Sequence, residues 1–188
     1  LKRRLVLSDT QTLDLPPPSL HDLSREGIEL LVERGPSFLV NGTVLVTGQV
    51  ERTTDFEHGM KNQQAEIDGA WQPDPWVYDD QAIVVHVRGK GLVVLTGCGH
   101  AGVINILRQA RAQTGVEQVY AVLGGFHLSG AAFEPIIPQT IAELQRIGPA
   151  VIVPAHCTGW RATHGIARAL PEAFVQNSVG TTFALMAV

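Results

Sequence analysis

The chain is short of several things that would assign it quickly. It has two cysteines in 188 residues, too few for a disulfide scaffold, which points to a reducing compartment, taken here as the cytoplasm. No apolar run approaches the roughly 20 residues that cross a bilayer, so a membrane partner is not expected. Lysine and arginine number 14 against 18 acids, a net charge of −4, and no basic stripe is present, which argues against a nucleic-acid footprint. The first seven residues, LKRRLVL, set charge beside a short apolar patch but lack the long apolar stretch of a signal peptide. No methionine stands at position 1, so the gene is expected to begin upstream of Leu1.

What is present suits a soluble globular domain over residues 1–188, with 45% apolar and 17% charged residues. Residues 3–7 read as a short strand, broken after Leu15 by Pro16, Pro17 and Pro18. Ser24 suits the N-cap of a helix over Arg25–Arg34, with Ile28, Leu31 and Val32 on one face and Gly35-Pro36 as its stop. Asn41-Gly42 between Phe38–Val40 and Thr43–Val46 predicts a hairpin. Residues 49–80 carry little periodicity and read as a long loop, functional or mobile, whose Trp71 and Trp76 either plug the core or wall a cleft.

From residue 81 the pattern is regular. A second hairpin joins 81–87 to 91–96, and helices are expected over 103–112 (Ile104, Leu107 and Arg111 on one face), from Pro138 to Arg146, and near 163–170. Phe183 and Leu185 alternate with small residues in a last strand. A hairpin-rich front followed by alternating strands and helices predicts an α/β fold with a mixed sheet.

Three histidines end three apolar runs: His100 after Gly97-Cys98-Gly99, His127 after Gly124-Gly125-Phe126, and His156 after Pro154-Ala155. They stand 27 and 29 residues apart, near the length of one strand–helix–strand unit. Parallel strands present their carboxyl ends on one sheet edge, where ligands bind in open α/β folds. Neutral imidazoles converging there suit a divalent metal, with a structural or anion-binding role as the alternative. His86 falls inside an alternating strand and reads as a packing or surface residue, and His21 and His164 as solvated. His58, in the long loop, could reach a substrate if that loop folds over the site. Cys98 and Cys157 read as small packing residues before soft ligands or redox thiols. Asp79 and Asp80 read as a solvated loop end before acid–base groups, and Arg52 as a phosphate grip or a partner of Glu57.

Several blocks together resemble the metallo-β-lactamase superfamily, and more narrowly the branch named for dihydropterin-ribofuranosylaminobenzene-phosphate synthase. They are TGQVERTTDFE at 47–57, Asp79-Asp80-Gln81-Ala82, LTGCGHAGV at 95–103, VLGGFHL at 122–128 and PAHCTG at 154–159. The resemblance implies an αββα sandwich with metals at one edge, His100 on the first metal and His156 on the second. His127 stands where many members carry a bridging aspartate. The divalent metal is expected to be zinc, with iron or manganese as alternatives, one or two per complete site. The superfamily's His-x-His-x-Asp-His string is missing, so the chain resembles only the C-terminal portion of the fold. The absent half is then expected from a partner, either the missing N-terminal part or a second copy of the chain. The function implied is a metal-dependent hydrolase using metal-activated water. The alternatives are a synthase transferring a dihydropterin-methyl group to an aminobenzene ribotide, and a non-catalytic half-domain without a competent metal site. The substrate would be a small molecule, and Arg52, Thr54 and His58 are candidates to contact it, the first two through phosphate.

Overall fold

A computed structural model describes residues 2–24 and 27–187. Its elements run β1 (Arg3–Ser8), β2 (Gln11–Leu15), a one-turn α1 (Leu20–Leu23), β3 (Ser37–Leu39), β4 (Val44–Val46), β5 (Gln63–Ile67), β6 (Ala70–Pro73), β7 (Ala82–Val87) and β8 (Gly91–Thr96). Then follow α2 (Val103–Thr114), β9 (Val119–Gly125), α3 (Ile137–Ile147), β10 (Val151–Ala155) and α4 (Trp160–Ala169). They form two sheets. The larger is mixed, in the order β10-β9-β8-β7-β4-β3, and the smaller is antiparallel, β2-β1-β5-β6. Strands β8, β9 and β10 are parallel neighbours, so their carboxyl ends share one edge.

The larger sheet is held by the apolar runs read in the sequence. Val84, Leu92, Val94, Val122 and Ile152 bury against Ile104, Leu107, Leu144 and Ile166 of the helices in one core. Each such side chain, once fully buried, contributes about 1.5–3 kcal/mol. Gly115 and Gly148 end α2 and α3 in the left-handed region, their amides closing on Arg111 and Leu144 carbonyls. The two later helices sit within two or three residues of their expected bounds.

The front half departs further. No helix forms over 27–34, and residues 25 and 26 of that expectation lie outside the described residues. Ile28, Leu31 and Val32 have helical spacing but stay exposed, Val32 at 84%. A helix of ten residues without a packed face is marginal in water. The first hairpin forms, but β3 and β4 pair Leu39 with Val44, so Val40 and Thr43 join Asn41-Gly42 in a four-residue turn. The expected loop over 49–80 contains the β5–β6 hairpin, turned by Asp68-Gly69 with both residues at positive φ. The last strand does not form at Phe183 and Leu185. Instead the segment after α4 lies along β10, where Ile152 and Val175 N–H donate to the Ala173 and Ile152 carbonyls.

What remains of the loop is laced to α2. Asn105, Gln109 and Gln113, four residues apart on one helical face, hydrogen-bond Thr53 and Thr54, Gln49 and Glu51, and Thr47 respectively. Arg3 fastens the smaller sheet to the segment before β7, reaching Asp74 Oδ2 at 2.7 Å and also Asp79. Trp71 lies under the Arg4 guanidinium, 4.3 Å from the ring centroid. No helix among the described residues is long and apolar enough to cross a membrane.

Candidate metal centre

The turns after β8, β9 and β10, the first two rich in glycine, bring His100, His127 and His156 to the same sheet edge. Two of the three histidines pay for that aim in backbone conformation: His127 has φ 45° and His156 has φ 48°, a region that bulky side chains avoid. The turns are pressed together by glycine. A Cβ on Gly99 would stand 2.4 Å from the Gly125 carbonyl oxygen, so only a bare backbone allows the His100 turn to lie on the end of β9.

The donors fall into two overlapping groups. Cys98, His100 and His127 have ligand atoms within 4.8 Å of one another, as do Cys98, His156 and Cys157. His100 and His127 meet edge to face with centroids 4.5 Å apart, and Phe133 packs on His127 at 4.4 Å. Cys98 Sγ lies 3.2 Å from His127 Nδ1 and 2.9 Å from Cys157 Sγ. The histidines are therefore gathered on one edge without closing into a single triad. Burial, then repulsion from His127, lowers the pKa of His100 and favours the neutral imidazole that binds metal. Hydrogen bonding to Cys98, opposed by burial, lowers the pKa of Cys157, and the same contact, with burial, drives that of Cys98 up.

Asp80 is the residue most misjudged from sequence. It is buried rather than solvated, accepts the Ala101 amide at 2.9 Å, and puts Oδ1 3.7 Å from His100 Nδ1. Asp79 does stay exposed, paired with Arg3. The cysteines also do more than pack, since both are half-buried and touch each other. Glu57, which the sequence offers as a partner for Arg52, is engaged elsewhere. It is buried beneath the site, where Ile104 and Asn105 amides each donate to it at 2.9 Å, and burial raises its carboxyl to about 7 against these bonds. The available signal is the Thr54-x-x-Glu57 spacing, which sets the threonine hydroxyl beside the carboxyl.

The substrate candidates separate. His58 is exposed and lines the recess beside His100 and His127. Arg52 does not line it; its guanidinium donates to the Val50 and Trp76 carbonyls, and burial lowers its pKa. Thr54 is also absent from the recess lining, its hydroxyl 3.2 Å from Glu57 Oε2. Neither Trp71 nor Trp76 lines it, and His86, His21 and His164 are exposed elsewhere.

No family model matches the chain. Among curated proteins it is similar to the 7,8-dihydropterin-6-methyl-4-(beta-D-ribofuranosyl)-aminobenzene-5'-phosphate synthase of Methanocaldococcus jannaschii, 28% identical over 168 residues, covering 85% of this chain and 54% of the relative. An uncharacterized protein of the same organism is 29% identical over 140 residues, covering 74% of this chain and 48% of that protein. A crystal structure described as a metal-dependent hydrolase of the beta-lactamase superfamily superposes with a TM-score of 0.71 at 25% identity, covering 85% of this chain and 59% of that one. The chain thus spans about half the length of the curated relatives it matches.

Proposed function

We propose that this chain, which has the fold of the metallo-β-lactamase superfamily, carries part of a divalent-metal site for a hydrolase acting on a small molecule. The observation that carries the reading is the gathering of His100, His127 and His156 at the carboxyl ends of β8, β9 and β10, two of them in an unfavourable backbone conformation. The donor set fits a borderline ion, with zinc first and iron or manganese as alternatives. When bound, such an ion polarises a carbonyl or phosphoryl oxygen and makes water a nucleophile near neutral pH.

The chain's own residues prepare the site. Asp80 Oδ1 lies 3.7 Å from His100 Nδ1, so its charge favours a proton on that nitrogen and leaves the other for a metal. Burial keeps His100 neutral, ready to ligate. His58 stands at the mouth of the recess, placed to meet substrate. Arg52 and Thr54 serve the wall behind it, where they hold backbone and Glu57. The remaining ligands would come from an N-terminal half or from a second copy. Exposed apolar residues on β1, β2 and β3 (Leu7, Leu13 and Phe38) support such a covering partner.

The likeness to the synthase supports a second reading equally well: transfer of a dihydropterin-methyl group to a phosphorylated aminobenzene ribotide. Metal analysis decides first. The chain, alone or with its completing half, is expected to retain a transition metal, and His100→Ala, His127→Ala and His156→Ala each to lose it while His86→Ala does not. No retained metal in either form would leave the non-catalytic half-domain as the reading. With metal present, turnover of ester or phosphodiester probes against turnover of the phosphorylated pterin pair separates hydrolase from synthase.

A further inference from the structure

The proposed metal site leaves one reactive pair unused. Cys98 follows β8 and Cys157 follows β10, with β9 lying between those strands in the sheet. They meet because the turn bearing Cys98 rests on the end of β9. A Cβ on Gly125 would stand 2.8 Å from the Cys98 carbonyl oxygen and 3.0 Å from its Cα. Across that bare backbone the two free thiols come within 2.9 Å, and Cys157 Sγ also donates to the Cys98 carbonyl at 3.0 Å. Both side chains are half-buried, within reach of a small oxidant, and exposed His156 adjoins Cys157.

We infer that Cys98 and Cys157 form a reversible oxidation site, closing to a disulfide with a hydroperoxide as oxidant. One sulfur attacks the peroxide, the O–O bond breaks, and a sulfenic acid and one water (or alcohol) result. The second sulfur attacks the sulfenic sulfur, the S–O bond breaks, and water leaves with the last thiol proton. Two thiols are oxidised by two electrons and the peroxide is reduced by two. A dithiol reverses the reaction by exchange through a mixed disulfide.

Chelation of a soft metal is the competing use of the pair. Two thiolates on one tetrahedral zinc stand about 3.8 Å apart for Zn–S bonds near 2.3 Å. Chelation would therefore force these sulfurs apart and away from the Cys98 carbonyl. Disulfide formation draws them together along the line on which they already meet, toward the ~2.05 Å of an S–S bond. The crosslink would join the turn carrying His100 to the turn carrying His156, tying two of the three candidate ligand turns across β9. It does not depend on the enzyme reading, since the thiols alone carry it.

The test titrates thiols in the intact chain after exposure to hydrogen peroxide, with and without prior removal of metal by a chelator. Both thiols are expected to disappear in either sample, with a Cys98–Cys157 crosslinked peptide in a non-reducing digest and full recovery in dithiothreitol. In Cys98→Ser and Cys157→Ser the crosslink is lost, and dimedone labels the remaining sulfur as a sulfenic acid. Thiols that persist under peroxide, or a cysteine driven to sulfinic acid with no crosslink, would overturn the inference. Protection that vanishes only after chelation would overturn it too, in favour of a metal–thiolate site.

Discussion

Glu57 closes the amino end of the helix that begins at Val103, its Oε1 accepting the Ile104 amide at 2.9 Å across a separation of 47 residues. Oε2 takes the Asn105 amide at the same distance, so one side chain from the loop satisfies two of the four orphan donors that open any helix. The helix dipole adds to the attraction of the charged form. This cap exists only because Gly102 leaves room for it, and it fixes the turn that presents His100.

Gly102→Ala should therefore be among the most damaging single substitutions in the chain. A Cβ there would stand 2.1 Å from Glu57 Cδ, at a backbone φ of 90° that alanine resists. Overpacking costs about 1–3 kcal/mol, and backbone strain adds to it. Chemical denaturation should show the loss, and metal retention at the His100 turn should fall with it. The pair Gly102→Ala, Glu57→Ala should be less destabilised than the sum of the single variants, because the clash is then relieved.

The same carboxyl makes stability depend on pH. Its pKa rises from 4.5 to about 7 on folding, with burial the largest cause, so between these values the native state holds more proton than the unfolded chain. Stability from this group is then fullest below its unfolded pKa and is lost as pH rises through the folded one. The slope is at most about 1.4 kcal/mol per pH unit. Urea unfolding measured from pH 4.5 to 7.5 should show this decline in the native chain and a flatter profile in Glu57→Gln. An unchanged profile in the variant would assign the dependence to another group.

Much of the larger sheet was legible because its pattern is local. Valines and leucines from 82 to 96, and helices ended by Gly115 and Gly148, carry their own start and stop signals. The three histidines were legible for the same reason, each being the first large polar residue after an apolar strand, with glycines leading into His100 and His127. Features that depend on distant partners were not. Asp80 looks solvated beside Asp79 until the Ala101 amide and His100 are brought to it by the fold. Arg52 looks like a free cation in a polar loop, yet two carbonyls from Val50 and Trp76 take its charge. The amide stripe Asn105, Gln109 and Gln113 was readable as a spacing of four, but only the loop it binds gives it meaning. The Asp68-Gly69 hairpin carried its ordinary signal and was missed because the flanking strands are short and polar. At 28–34 the error ran the other way: the period was helical, but Ile28, Leu31 and Val32 stay exposed, with no surface among the described residues receiving the face.

Asp80 offers the sharpest separation of positioning from folding. Its Oδ2 accepts the Ala101 amide, a bond that an asparagine oxygen can keep, whereas Oδ1 faces His100 Nδ1 and is where the charge acts. In Asp80→Asn the backbone bond, the side-chain volume and hence the fold should survive, with denaturant stability close to that of the parent. The imidazole loses the carboxylate that raises its basicity and steadies its orientation. Losses at such supporting partners run about 10–100-fold in metal affinity. Competition with a chelator should therefore place the variant's metal affinity in that range below the parent's, with an unaltered unfolding midpoint for the metal-free forms. Equal weakening of fold and metal binding would instead make Asp80 a structural brace of the Ala101 turn, with no separate part in holding the metal.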